Sequence, residues 1–185
     1  MMIINHSDDR VFLKKIFERV FVSNNAFNKM FVSSIEKKII VCPTAGYYLS
    51  EDQYLALNNT IKQYGEEFYY LSEVEGEAFK EKGIDNIHCY QHLELNIDTT
   101  YAEYFNKNII FENAFYSSSA KWGVIVSHED FAVIGGTQKF IATFKSLYPN
   151  WKSDQEEFLK IINYWGKQSN NNLSWIHDFI KYINE

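Results

Sequence analysis

A chain of 185 residues with 46% hydrophobic side chains, 13 Tyr and 15 Phe among them, has the material for one large aromatic core and is too apolar for extended disorder. Eighteen basic against 24 acidic residues give a formal charge of −6, which disfavours unspecific attachment to phosphate backbones and favours a basic partner. No run approaches the roughly 18 apolar residues of a membrane span, and an opening that carries Asn5, Asp8 and Asp9 lacks the regions of a signal peptide, so a cytoplasmic protein is expected.

In chain order, Ser7 is a candidate helix cap, with Asp8 and Asp9 favouring the positive end of a helix to about residue 22. The stretch 26–36 is open between a short helix and an irregular connection. Lys38-Ile39-Ile40-Val41-Cys42 predicts a buried strand stopped by Pro43, whose missing amide cannot continue a ladder. Ser50-Glu51-Asp52-Gln53 has the capping-box pattern for a helix over 51–64, with Tyr54, Leu57, Ile61 and Tyr64 on one face and Gly65 at its end. A strand at 68–71 then suggests a right-handed parallel crossover from the first strand. Alternation predicts a strand near 87–95, followed by a short helix at 99–106 and a strand near 109–115. Strands at 122–127 and 131–134, joined by the short acidic connection His128-Glu129-Asp130, predict a hairpin. Thr137 caps the next helix, whose Phe140, Ile141, Phe144 and Leu147 form an apolar stripe before Pro149. Ser153 opens a further capping box for a helix to about Trp165, and a last helix starts at Asn172.

These elements predict an α/β or α+β fold over 1–185 as a single globular domain. Its mixed β-sheet has about five or six strands with an antiparallel C-terminal meander, is packed by helices, and is followed by C-terminal helices.

Chemistry-bearing residues are sparse. The two cysteines, Cys42 and Cys89, read as free buried thiols in a reducing compartment. His88, Cys89 and His92, with Glu94, form the one compact group with metal-donor character. It lacks a cysteine pair or a His-Glu-x-x-His spacing, so partly exposed strand side chains compete with a metal site, and no metal or cofactor is assigned. Cys42 sits at a strand end, as reactive thiols often do, but Tyr47, Tyr48 and Leu49 stand where a phosphatase-like loop would carry an arginine. Gly135-Gly136-Thr137 could offer amides to an anion, yet a tight turn explains the glycines without a ligand. Ser127, His128 and Asp130 are neighbours in sequence, which does not make a triad. An acidic stretch holds Glu66, Glu67, Glu73, Glu75, Glu77 and Glu81. In an extended segment Glu73, Glu75 and Glu77 would project on one side and attract a basic surface, with tyrosines such as Tyr69 adding contact area.

Asn113-Ala114-Phe115-Tyr116-Ser117, Lys121-Trp122-Gly123-Val124-Ile125, Ser127-His128-Glu129 and Ala132-Val133-Ile134-Gly135-Gly136 resemble a segment of small bacterial proteins, some of which are similar to immunity proteins of contact-dependent or polymorphic toxin systems. The resemblance spans residues 109–149. It implies a small cytosolic protein that neutralises a cognate toxin by covering it, without direct nucleic-acid or membrane contact. The partner is then a basic protein toxin domain, a nuclease being a fitting case. Glu73, Glu75, Glu77 and Tyr69 are the expected contacts, and catalytic residues are none. The alternative is a small enzyme centred on Cys42 or the His88/His92 region.

Overall fold

Residues whose neighbours along the chain alternate between two apolar environments demand a sheet covered on both faces, and the computed structural model has that architecture. It describes residues 2–4, 7–80, 90–169 and 174–185. The elements in chain order are β1 (Met2–Ile3), α1 (Ser7–Phe17), β2 (Lys37–Val41), α2 (Glu51–Gln63), β3 (Phe68–Glu73), β4 (His92–Asn96), α3 (Tyr101–Phe105), β5 (Asn113–Tyr116), β6 (Trp122–Val126), β7 (Ala132–Gly136), α4 (Gln138–Leu147), α5 (Trp151–Ser169) and α6 (Ser174–Asn184). The strands form one seven-stranded sheet in the order β1-β4-β3-β5-β6-β7-β2. Every neighbouring pair is antiparallel, so the fold is α+β and the sheet is not mixed.

Period-two alternation sorts the core into two clusters. Ile39, Val41, Tyr69, Leu71, Phe115, Trp122, Val124 and Ile134 pack with Tyr54, Leu57 and Ile61 of α2, Tyr104 of α3, and Phe140 and Phe144 of α4. Ile40, Cys42, Tyr70, Ala114, Tyr116, Ile125 and Val133 face Leu13 and Phe17 of α1, the connection through Val20, Phe21 and Phe31, Phe158 of α5, and Phe179 and Tyr182 of α6. Strands β5, β6 and β7 are buried at every position, as a central strand covered on both sides requires.

The expected crossover is corrected. Strands β2 and β3 run in the same direction, but β5, β6 and β7 lie between them, so α2 passes over three strands instead of joining neighbours. The open stretch 26–36 is irregular, with Phe21 and Phe31 forming an isolated bridge. Helix α5 starts at Trp151 and extends to Ser169, so Ser153 lies inside it and is not its cap, while Asp154 is turned into the core.

The Gly135-Gly136 pair is not a turn. Both residues belong to β7. A Cβ at Gly135 would lie 2.7 Å from two ring carbons of Phe31 and 2.8 Å from Ile35, and one at Gly123 would lie 2.5 Å from the Phe21 ring. These glycines let the 20–35 connection press onto the middle of the sheet. Across the sheet, Trp122 stacks on Phe140 with centroids 5.2 Å apart and donates its indole N–H to Glu66 at 3.2 Å. Thr137 caps α4 by accepting from Phe140 N at 3.2 Å, so the 122–147 segment couples a hairpin to a helix through one aromatic stack.

Candidate partner-binding surface

One row of the sheet register defines the end where the chemistry collects. Glu73 pairs with Asn113, Asn113 with Val126, Val126 with Ala132, and Ala132 with Val41. Beyond this row, the chain turns through four loops that stay in register: Val74 N donates to Glu112 O at 2.9 Å, Ser127 N to Phe131 O at 2.9 Å, and Thr44 N to Asp130 O at 2.9 Å. Glu75, Glu112, His128, Glu129 and Asp130 are thereby gathered at one end of the sheet, although they come from three separate stretches of sequence.

Glu112 organises the middle of this end. One of its carboxylate oxygens accepts from Ser127 Oγ at 3.0 Å and lies 2.8 Å from His128 Nδ1, while His128 Nε2 lies 3.2 Å from Glu129. Burial opposes the imidazolium, but the hydrogen bond and charge of Glu112, with Glu129 and Glu75, outweigh it and raise the His128 pKa. Ser127 and His128 both bond to Glu112 and not to each other, so they form no nucleophile and base pair. Asp130 has φ 56°, a left-handed conformation that an aspartate tolerates in a tight connection. Tyr47 is half-buried beside the same carboxylates; burial first, then Glu75, Glu112 and Glu73, raise its pKa. The half-buried rings of Tyr90 and Phe111 pack 5.0 Å apart on neighbouring loops.

The four expected contact residues separate into two groups. Glu73 is fully buried at the last position of β3; its carboxylate accepts from Gln91 N at 2.6 Å, Ile110 N at 2.8 Å and Phe111 N at 3.2 Å. Tyr69 is also fully buried, donating to Asn58 Oδ1 at 3.1 Å. Neither presents surface, because even positions of β3 face one helical layer and odd positions the other. Glu75 and Glu77 are exposed, in the turn after β3; Glu77 pairs with Lys80 at 2.8 Å. The three glutamates therefore do not form an extended comb.

The residues of the enzyme alternative have a different environment. Cys42 is buried, and burial, then Asp154, Glu157 and Asp130, push its thiol up to about 12. Its amide donates to Asp154 at 3.1 Å, and the same carboxylate oxygen accepts from Tyr148 at 2.8 Å. A thiol held protonated behind these contacts is a poor nucleophile. His92 is buried against Phe79, with Nε2 3.1 Å from Ala78 O, and burial pulls its pKa down to about 4. His88 and Cys89 lie outside the described residues. Among the described residues, no group of three or more His, Cys, Asp or Glu side chains could hold a metal ion, and no helix is long and apolar enough to cross a membrane.

An end rich in carboxylate acceptors, with half-buried aromatic rings beside them, is suited to receiving ammonium and guanidinium groups. Glu112 was missed in the sequence because it stands alone there, 16 positions from His128. No family model, curated protein or solved structure matches the chain.

Proposed function

We propose that the protein is a cytoplasmic binding protein, an immunity protein that neutralises a cognate toxin domain by covering a basic surface of that toxin. The observation that carries the reading is the loop end of the sheet, where Glu75, Glu112, Glu129 and Asp130 converge beside Tyr47. Complementary charge steers such encounters and fixes orientation, while aromatic rings contribute buried area. Glu75, Glu129, Asp130 and Tyr47 are the proposed contacts, with Glu77 at the margin. Glu73 and Tyr69 hold the scaffold beneath them. A basic nuclease domain is the fitting partner, since the groove that tracks a phosphate backbone is the surface an acidic inhibitor can occupy.

The experiment is co-expression with the product of the adjacent upstream gene. Co-purification of the two proteins and protection of cells from that product's toxicity are expected. A toxic product that neither binds the chain nor is neutralised by it would overturn the proposal.

A further inference from the structure

The opposite end of the sheet has the opposite charge. Strand β2 is terminal, so one of its edges is free of any strand, with α4 against one face and α6 against the other. A cleft of about 350 Å³ opens along this edge, lined by Lys37, Lys38, Lys145, Gln138, Ile141 and Ile183, with Asn184 at its rim. Its size lies at the lower end of small-molecule sites, which span about 300–1,000 Å³.

Three lysines thus line one cleft of a protein whose formal charge is −6. Lys37 and Lys38 are the first two residues of β2 and line the cleft from the strand edge, while Lys145 lines it from the last turn of α4. Among the described residues, no side-chain carboxylate forms an ion pair with any of the three. Lys38 lies 4.5 Å over the Tyr182 ring, Lys145 lies 3.8 Å over the Trp151 ring, and Lys37 donates to the main-chain oxygen of Glu185 at 3.1 Å. Burial is the main cause that lowers the pKa of both Lys38 and Lys145; at Lys38 Glu185 opposes it, with Lys37 and Lys29 adding smaller repulsion, and at Lys145 Lys37 and Lys152 add to it. Cations held together at such a cost lose their mutual repulsion when a multivalent anion sits among them.

We propose that this cleft binds a small phosphorylated anion, held by Lys37, Lys38 and Lys145, with the carboxamides of Gln138 and Asn184 as further donors and Ile141 and Ile183 as the apolar floor. A charged strand edge that blocks edge-to-edge pairing would account for Lys37 and Lys38. It does not account for Lys145, which comes from a helix and lines the same cleft. The start of α4 is not the anchor, because Glu36 already accepts from Gln138 N at 3.0 Å; side chains make the site. A dianion suits the balance of three lysines against Glu185.

Inorganic pyrophosphate is the probe, titrated at fixed ionic strength into the full chain while tryptophan emission is followed. An anion that draws Lys145 off the indole changes the emission of Trp151, so the saturable signal should vanish in Trp151→Phe while calorimetry still detects binding. Lys37→Gln with Lys145→Gln should weaken pyrophosphate about tenfold or more, the scale of losing two charge-assisted hydrogen bonds. It should change the melting temperature little, because the repulsion it removes offsets the ring contact of Lys145 and the hydrogen bond of Lys37 that it loses. Lys160→Gln, on the exposed face of α5, should bind as the parent does. Absence of saturable binding in the millimolar range would overturn the proposal, as would unchanged affinity in the double variant. Tighter binding of a single-stranded oligonucleotide through the same lysines would replace it with a nucleic-acid site.

Discussion

Removing the Glu73 carboxylate tests whether that residue supports the acidic end or belongs to its contact surface. In Glu73→Ala, three main-chain amides, those of Gln91, Ile110 and Phe111, lose their acceptor at once. A buried donor left without a partner costs about 1–3 kcal/mol. Water reaching the truncated site would lower that figure, so a total of about 3 kcal/mol is expected. For a domain of this size, 1 kcal/mol shifts the melting temperature by about 2–4 °C, which places the variant roughly 6–12 °C below the parent. Thermal unfolding followed by circular dichroism at neutral pH reads this directly. The carboxyl also carries a pH signature. Burial raises its folded pKa despite the three amides, so the folded state binds more protons than the unfolded one between the two pKa values. Its contribution is therefore largest below the ordinary carboxyl range and declines as pH rises through the raised folded value. The alanine variant should lose that component of the pH profile. Glu75→Ala, an exposed change, should melt within about 0.5 kcal/mol of the parent. Equal melting of the parent and Glu73→Ala would refute the scaffold role.

Three further outcomes follow from the same geometry. Gly135→Ala should destabilise by about 1–3 kcal/mol in urea titration, since its Cβ would meet the Phe31 ring at 2.7 Å; an unchanged midpoint would mean that the 30–35 connection yields freely. Cys42 should resist alkylation in the native protein at pH 8 and react after denaturation, with peptide mass mapping separating it from Cys89; rapid native labelling would favour the enzyme alternative. His92 has a folded pKa pulled below its unfolded value, so the unfolded state binds more protons and stability should fall as pH drops from about 6.5 toward about 4. The loss reaches about 3 kcal/mol, and His92→Gln should flatten the profile.

Much of the scaffold could be read from local pattern. The 122–136 hairpin, the helix at 51–63 and the helix at 138–147 announce themselves through short acidic or capped connections and apolar periodicity, because neighbours in sequence decide them. Strand order could not be read this way. The placement of β2 beside β7 depends on pairings about a hundred residues apart, and the helix that follows β2 looks the same whether it joins neighbouring strands or passes over three. The Gly135-Gly136 pair shows the same limit: a turn and a close approach both select glycine, and only the 20–35 connection lying over the strand distinguishes them. At the site, charge alone suggested Glu73, Glu75 and Glu77 as equals. The end of β3 at Glu73 separates one buried carboxylate from two exposed ones, and the convergence of Glu112 with His128 exists only once β5 and β6 are paired.

The central claim, that the acidic loop end engages a basic toxin domain, is tested most directly by calorimetric titration of that domain with the parent chain and with Glu75→Gln/Glu129→Gln/Asp130→Asn. Asparagine is used at position 130 because it tolerates the left-handed backbone there. The account predicts an affinity loss of about tenfold or more with unchanged stability, and a weaker salt dependence in the triple variant than in the parent. Equal affinity and equal salt dependence for the two proteins would contradict it.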